Sequence, residues 1–213
     1  MTGCCCQGAK EVFDERMARR ELRRYRRRGP SKPTRTLLEA LSREGVAGAT
    51  LLDIGGGVGA IQHELVAAGA ARVVGVDASP AYLRVAREEA ARRGHDDRVS
   101  YRAGDFVALA DEVVPADVVT LDRVICCYAD MESLVGRSAE RARRLYGLVY
   151  PRDTWWVRAG LRVVNLMLRL RGSAFRAYAH PSGAVDAAAR RSGLERRLVR
   201  RVGAVWQVVL YAR

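Results

Sequence analysis

Two spacings of apolar residues alternate along this chain. Leu51-Leu52-Asp53-Ile54, Arg72 to Val76, Val99 to Arg102, Ala116 to Asp122 and Leu145 to Tyr150 are short apolar runs. Such runs fit strands buried on both faces. Between them lie helical stretches: Ala60 to Ala68, stopped by Gly69, then Pro80 to about Arg93, stopped by Gly94, then Met131 to Arg143 and Ser182 to Arg191. Ser79 supplies a cap and Pro80 the first helical position of the second of these. Strand and helix in alternation predict an α/β fold around a mostly parallel sheet. Leu194 to Val202 and Ala204 to Tyr211, joined at Gly203, predict a closing antiparallel hairpin and bring the strands to seven. Two helices precede the first strand. One spans residues 9 to 28 and ends at Gly29-Pro30; the other opens at Ser31-Lys-Pro33 and carries Leu37, Leu38 and Leu41 as an apolar stripe.

The chain is organised around Thr50-Leu-Leu-Asp-Ile-Gly-Gly-Gly-Val-Gly59, a strand running into a glycine bend and then a helix. That is the opening unit of a nucleotide-binding sheet, where bare backbone lets a ligand approach. Gly55-x-Gly57-x-x-Ala60 also fits a dinucleotide fingerprint, so the glycines alone do not choose the ligand. Asp53, just before the bend, favours a cationic ligand group over a pyrophosphate, which its charge would repel. Asp77 closes the second strand, about 20 residues past the bend, where a carboxylate accepts ribose hydroxyls.

With Asp53, Gly55, Gly57 and Gly59 in the pattern acidic-x-Gly-x-Gly-x-Gly, residues 46 to 213 resemble the class I S-adenosylmethionine (SAM)-dependent methyltransferases. The resemblance implies a Rossmann-like seven-stranded sheet with a C-terminal antiparallel hairpin and SAM as cofactor. It also implies Asp77 on the ribose, Asp105 at the adenine amino group, the Phe106 backbone at the ring, and Asp122 at the strand end that faces the methyl group. Asp122-Arg-Val-Ile-Cys-Cys-Tyr128 and Phe175-Arg-Ala-Tyr-Ala-His180 look, more loosely, like magnesium-protoporphyrin IX methyltransferases and their relatives. That likeness implies O-methylation of a small, apolar, acidic or hydroxylated molecule. His180 and Tyr128 are the candidate catalytic residues, since a hydroxyl acceptor benefits from a base and a carboxylate needs none.

Composition narrows the partners. Of 213 residues, 49% are apolar, as in a globular chain with a real core. No run is long enough to span a bilayer, no apolar signal segment opens the chain, and the expected location is the cytoplasm, with peripheral membrane contact left open. The net charge is +13, and only Lys10 and Lys32 among the 37 basic residues are lysines. Arg16 to Arg28 holds eight arginines and one acid, Glu21. This helix keeps an RNA-binding or RNA-modifying alternative open, beside that of a catalytically silent SAM-binding partner. Cys4-Cys5-Cys6 lacks the spacing of a metal site and no metal is expected; Cys126 and Cys127 lack the preceding proline of a cytosine-C5 nucleophile. The Asn/Asp-Pro-Pro-aromatic signature of amino-methylating nucleic-acid enzymes is absent as well.

Organised by domain, residues 1–45 read as a basic helical extension and 46–213 as the catalytic domain, with a lid inserted at about 152–180. Within that insertion, Arg158, Arg162, Asn165 and Arg169 fall on one helical stripe, and the rest of the circumference is apolar from Trp155 to Leu170. The helix is too apolar for an ordinary surface and too short and charged to span a membrane. It reads as a substrate-gripping lid, a membrane contact or a packing face.

Overall fold

The computed structural model describes residues 12–213; Cys4-Cys5-Cys6 and the expected start of the first helix at residue 9 lie outside them. Seven strands form one sheet: β1 (Thr50–Ile54), β2 (Arg72–Asp77), β3 (Val99–Ala103), β4 (Ala116–Asp122), β5 (Ala142–Pro151), β6 (Glu195–Val202) and β7 (Trp206–Ala212). Their order is β3-β2-β1-β4-β5-β7-β6. The first five run parallel, and β7 lies antiparallel between β5 and β6. This is the Rossmann-like α/β sheet with a terminal hairpin that the alternating pattern predicts.

Alternation within the strands sorts the core into two layers. Leu51, Val73, Val118, Leu145 and Val149 point to one face, with Leu37 and Leu41 of α2 (Lys32–Arg43) and Ile61 and Leu65 of α3 (Ala60–Ala67). Leu52, Val119, Leu121, Tyr146 and Leu148 point to the other. There they meet Phe106 of the short α5 (Phe106–Leu109), Leu134 of α6 (Met131–Glu140) and Val185 of α8 (Ser182–Arg190). Gly147 makes the close approach of α2 feasible, because a Cβ there would lie 2.7 Å from Leu37 Cδ1. The edge strand β6 carries Arg196, Arg197, Arg200 and Arg201, a run of charge that discourages pairing with another sheet.

Outside this sandwich, α1 (Glu15–Arg28) lies on α4 (Pro80–Arg93), burying Ala18, Leu22 and Tyr25 with Tyr82 and Val85. Ion pairs clasp the two helices: Arg19 with Glu88 at 3.1 Å, Arg26 with Glu89 at 2.7 Å, and Glu15 with Arg84. Burial alone would raise the Glu89 carboxyl, but hydrogen bonds from Arg92, Arg93 and Arg26 pull it well below the ordinary range. The helix of the insertion, α7, spans Trp155–Leu170.

The structure departs from the sequence expectation in several places, and three have a local cause. Helix α1 starts at Glu15, because the Asp14 side chain accepts from Met17 N at 2.8 Å and caps it there. Helix α6 stops at Glu140 and β5 begins at Ala142, since Ala142 is already in register with Ala116 of β4. The unforeseen α5 is capped by Asp105, which accepts from Val107 N at 3.0 Å.

Leu37 is fully enclosed between α2 and the sheet. Leu37→Ala is therefore expected to cost about 3 kcal/mol of unfolding free energy. Urea denaturation of the two proteins measures it.

Candidate functional site

Strands β1, β2 and β4 end at a crevice of about 220 Å³, at the C-terminal edge of the parallel sheet where such folds take ligands. The glycine bend after β1 forms its floor. Gly55 and Gly57 have positive φ, +64° and +57°, and Gly55 N donates to Val76 O at 2.7 Å, tying the bend to β2. A Cβ on Gly56 would strike Asp53 Oδ2 at 2.4 Å. The bend must therefore be side-chain-free at this position for the carboxylate below it. Gly59, with φ +80°, caps α3 with its back to His63 and is not among the lining residues.

Asp53 is 1% exposed. Its Oδ1 accepts from Thr120 Oγ1 at 2.7 Å and its Oδ2 from Gln62 Nε2 at 3.0 Å, so β1, β4 and α3 converge on one carboxylate. Burial pushes its pKa up to about 7 against those two bonds. Asp77 sits at the tip of β2, where Oδ2 accepts from Gly57 N at 3.1 Å and Oδ1 from Ser79 N at 2.8 Å. Burial raises it to about 6. Each of these carboxylates retains acceptor capacity for a further donor.

The remaining expected residues divide. Asp105, Phe106, Asp122 and Tyr128 all line the crevice with Asp53, Asp77, Gly55 and Gly57. Tyr128 donates its hydroxyl to Asp105, 2.9 Å to Oδ2 and 3.1 Å to Oδ1. Asp122 accepts from Thr34 Oγ1 of α2 at 2.6 Å. His180 is not part of the lining; its Nε2 stands 2.9 Å from the Tyr128 carbonyl oxygen and its ring stacks on Tyr178. Burial lowers its pKa against the backbone hydrogen bonds at Tyr128 and Ile125, and Nε2 donates to the Tyr128 carbonyl.

Phe13, Glu21, Arg123 and Cys127 are among the wall residues not expected from the sequence. Phe13 and Glu21 come from the N-terminal segment, and Glu21 accepts from Tyr82 OH at 2.9 Å. Of the two acids of α1, Glu15 pairs with Arg84 and Glu21 faces the crevice. Arg123 has φ +63°, the one non-glycine with positive φ among the described residues. This left-handed turn folds its guanidinium back, with Nε 3.1 Å from Asp122 Oδ1 and Nη2 3.6 Å from Glu21. Cys127 also lines the wall, with its sulfur 3.8 Å from that of buried Cys126. The Cys126 hydrogen bond lowers the Cys127 thiol pKa, and Arg123 adds to the effect. As the one acid between Arg16 and Arg28, Glu21 carried a signal in the sequence; nothing local marks Phe13 or Arg123.

Residues 51–145 match the model of a methyltransferase domain. The chain is 37% identical over 112 residues to a ubiquinone biosynthesis O-methyltransferase from Methylobacterium sp. (strain 4-46), covering 53% of this chain and 43% of that protein. It is 35% identical over 96 residues to a ribosomal protein L11 methyltransferase from Alteromonas mediterranea, covering 42% of this chain and 33% of that protein. The chain thus spans less than half the length of either relative. Its fold superposes on magnesium protoporphyrin IX methyltransferase from Synechocystis PCC 6803, solved with bound SAH, with a TM-score of 0.76. That alignment covers 98% of this chain and 99% of the other at 19% identity.

The raised carboxyls set a pH dependence. A carboxyl whose pKa rises on folding stabilises the fold below the unfolded value, near 4, and that stability is lost as pH rises through the folded value. The thermal midpoint of the empty protein should therefore fall as pH rises through about 6 to about 7, the values of Asp77 and Asp53. Asp53→Asn should flatten the upper part of that fall in differential scanning fluorimetry.

Proposed function

We propose that this chain, a member of the class I methyltransferases, uses S-adenosylmethionine to methylate an oxygen of a small, apolar molecule. The carrying observation is the charge of the crevice: Glu21, Asp53, Asp77, Asp105 and Asp122 line it against Arg123. Such a site suits a cation, and a positive charge would lower the raised pKa of both Asp53 and Asp77 and favour their ionised forms. The donor set fits an adenosyl sulfonium. Gly55 and Gly57 offer bare backbone, Asp77 takes the ribose hydroxyls, and Asp53 and Asp122 face the cationic end. Asp105 takes the adenine amino group, with the Phe106 backbone at the ring. Gly59 shapes the turn.

When bound, SAM supplies a methyl group already activated on a positive sulfur; the protein supplies alignment and shelter from water. Phe13, Glu21 and Tyr128 all wall the crevice. Because the Tyr128 hydroxyl is bound to Asp105, it belongs to the same end of the crevice as the adenine. The reading therefore favours a carboxylate acceptor, which arrives ionised and needs no base. Arg123 stands in the wall as the cation toward which that carboxylate turns. His180 holds the Tyr128 backbone and acts on the site through it. Two of the similar proteins are named for small molecules, a ubiquinone pathway and a magnesium porphyrin, and one for a ribosomal protein. The apolar insertion supports the small-molecule class.

Exposed arginines on α1 support a second reading in which RNA is the partner. A steep fall of RNA affinity with salt would favour it.

Isothermal calorimetry should show SAM binding that weakens as pH falls through about 6, and that Asp77→Ala abolishes. A methyl-label screen of extract should mark a small, organic-soluble acid. Tyr128→Phe should weaken SAM binding and leave kcat within about twofold, whereas a loss of about 100-fold in kcat at unchanged affinity would make Tyr128 the base for a hydroxyl acceptor.

A further inference from the structure

Helix α7 has two apolar sides and the fold covers one. Val157, Leu161, Asn165 and Leu168 recur at spacings of 4, 4 and 3 and form the inward side. Val157 is buried and Asn165 is fixed by two hydrogen bonds of 2.8 Å with the Ala177 backbone. At 100° per residue the opposite side carries Trp155, Trp156, Val163, Leu166, Met167 and Leu170. All six are exposed, Leu170 at 78%, Trp155 at 75% and Leu166 at 56%. Arg158, Arg162 and Arg169 lie together on the flank between the two sides, and all three are exposed.

Charge selects what covers this face. From Thr154 to Val185 the sequence contains no Asp or Glu, while Arg158, Arg162, Arg169, Arg171 and Arg176 all fall within it. A second copy laid face to face would set one arginine flank against another, in a chain of net charge +13. An anionic lipid surface satisfies both features. Its acyl boundary accepts the tryptophans and leucines, and its phosphates accept guanidinium groups that reach up from the flank. The helix is about 24 Å long, and no helix among the described residues is long and apolar enough to cross a membrane. It therefore lies in the plane of the surface.

We propose that α7 is an interfacial helix that docks this protein on an anionic lipid bilayer. The chain runs from this helix to the crevice wall. The segment leaving α7 sets Phe175 edge-on to Phe13 at 5.6 Å and donates Tyr178 N to Cys126 O at 2.8 Å. The proposal stands on the exposed face and its charge, and does not require the methyl-transfer reading.

The test is sedimentation of the full chain with vesicles of phosphatidylcholine alone or mixed with phosphatidylglycerol, with tryptophan emission read alongside. The expected result is binding to the mixed vesicles, a blue shift of emission, and weakening by salt. The double substitution Leu166→Glu and Leu170→Glu, on exposed positions, should weaken binding about tenfold or more, with thermal stability and SAM affinity unchanged. Arg162→Glu with Arg169→Glu should also weaken it. Absence of binding to the mixed vesicles at low salt overturns the proposal. So does unchanged binding of the leucine variant, or loss of binding on Arg23→Glu with Arg24→Glu alone, which would assign the contact to α1. A dimer in sedimentation equilibrium that the leucine variant dissolves gives the face to a second copy. SAM affinity is read separately, so failure at the vesicle leaves the cofactor reading intact.

Discussion

A carboxylate that water does not reach holds the site together. Asp53 accepts from Thr120 on β4 and Gln62 on α3 while its own backbone belongs to β1. Three elements are fixed by one side chain, and the glycine bend passes directly over it. A buried charge is costly unless it is hydrogen-bonded, and this one is bonded on both oxygens yet still shifted toward neutrality. The fold thus stores an unfavourable charge beneath the place where a cation would bind. A positive ligand relieves that strain on arrival, so part of the selectivity for charge is built in before any direct contact.

The rest of the crevice extends the same logic. Asp77 is oriented by two backbone N–H groups and Asp122 by Thr34, so each carboxylate is held by a different element of the fold. Only Arg123 opposes them among the lining residues, and its left-handed backbone is the cost of turning it inward. Such backbone strain is tolerated where the surroundings over-determine it. Here Arg123 N is also tied to Val149 O at 2.8 Å.

Much of this was legible in the sequence. The strand-bend-helix unit, the acid at the tip of β2 and the terminal hairpin all follow from local rules of spacing, glycine and burial. What was not legible depends on long-range packing. Glu21 and Phe13 reach the crevice because α1 lies on α4, a contact set by side chains more than 60 residues apart, as in the Tyr82–Glu21 bond. The place of His180 behind Tyr128, and the turning of Asn165 toward Ala177, depend on how the insertion folds back. Helical spacing put Asn165 with the arginines; it could not show that the neutral amide would be drawn inward while the guanidinium groups stayed in water. The short α5 went unseen because a single aspartate cap, without an apolar period, carries no pattern.

The clasp between α1 and α4 carries a consequence for its response to salt. Its outer rivets, Arg19 with Glu88 and Glu15 with Arg84, are half-exposed pairs, the kind that dissolved ions weaken. Its inner rivet ends on the buried Glu89, which ions do not reach. The wall that holds Phe13 and Glu21 is therefore pinned at both ends by contacts that ions do not reach, Arg26 on Glu89 at one and Ser79 Oγ donating to Phe13 O at 2.7 Å at the other, with screenable pairs between them. Added salt therefore weakens the outer pairs of this wall before it touches the inner one.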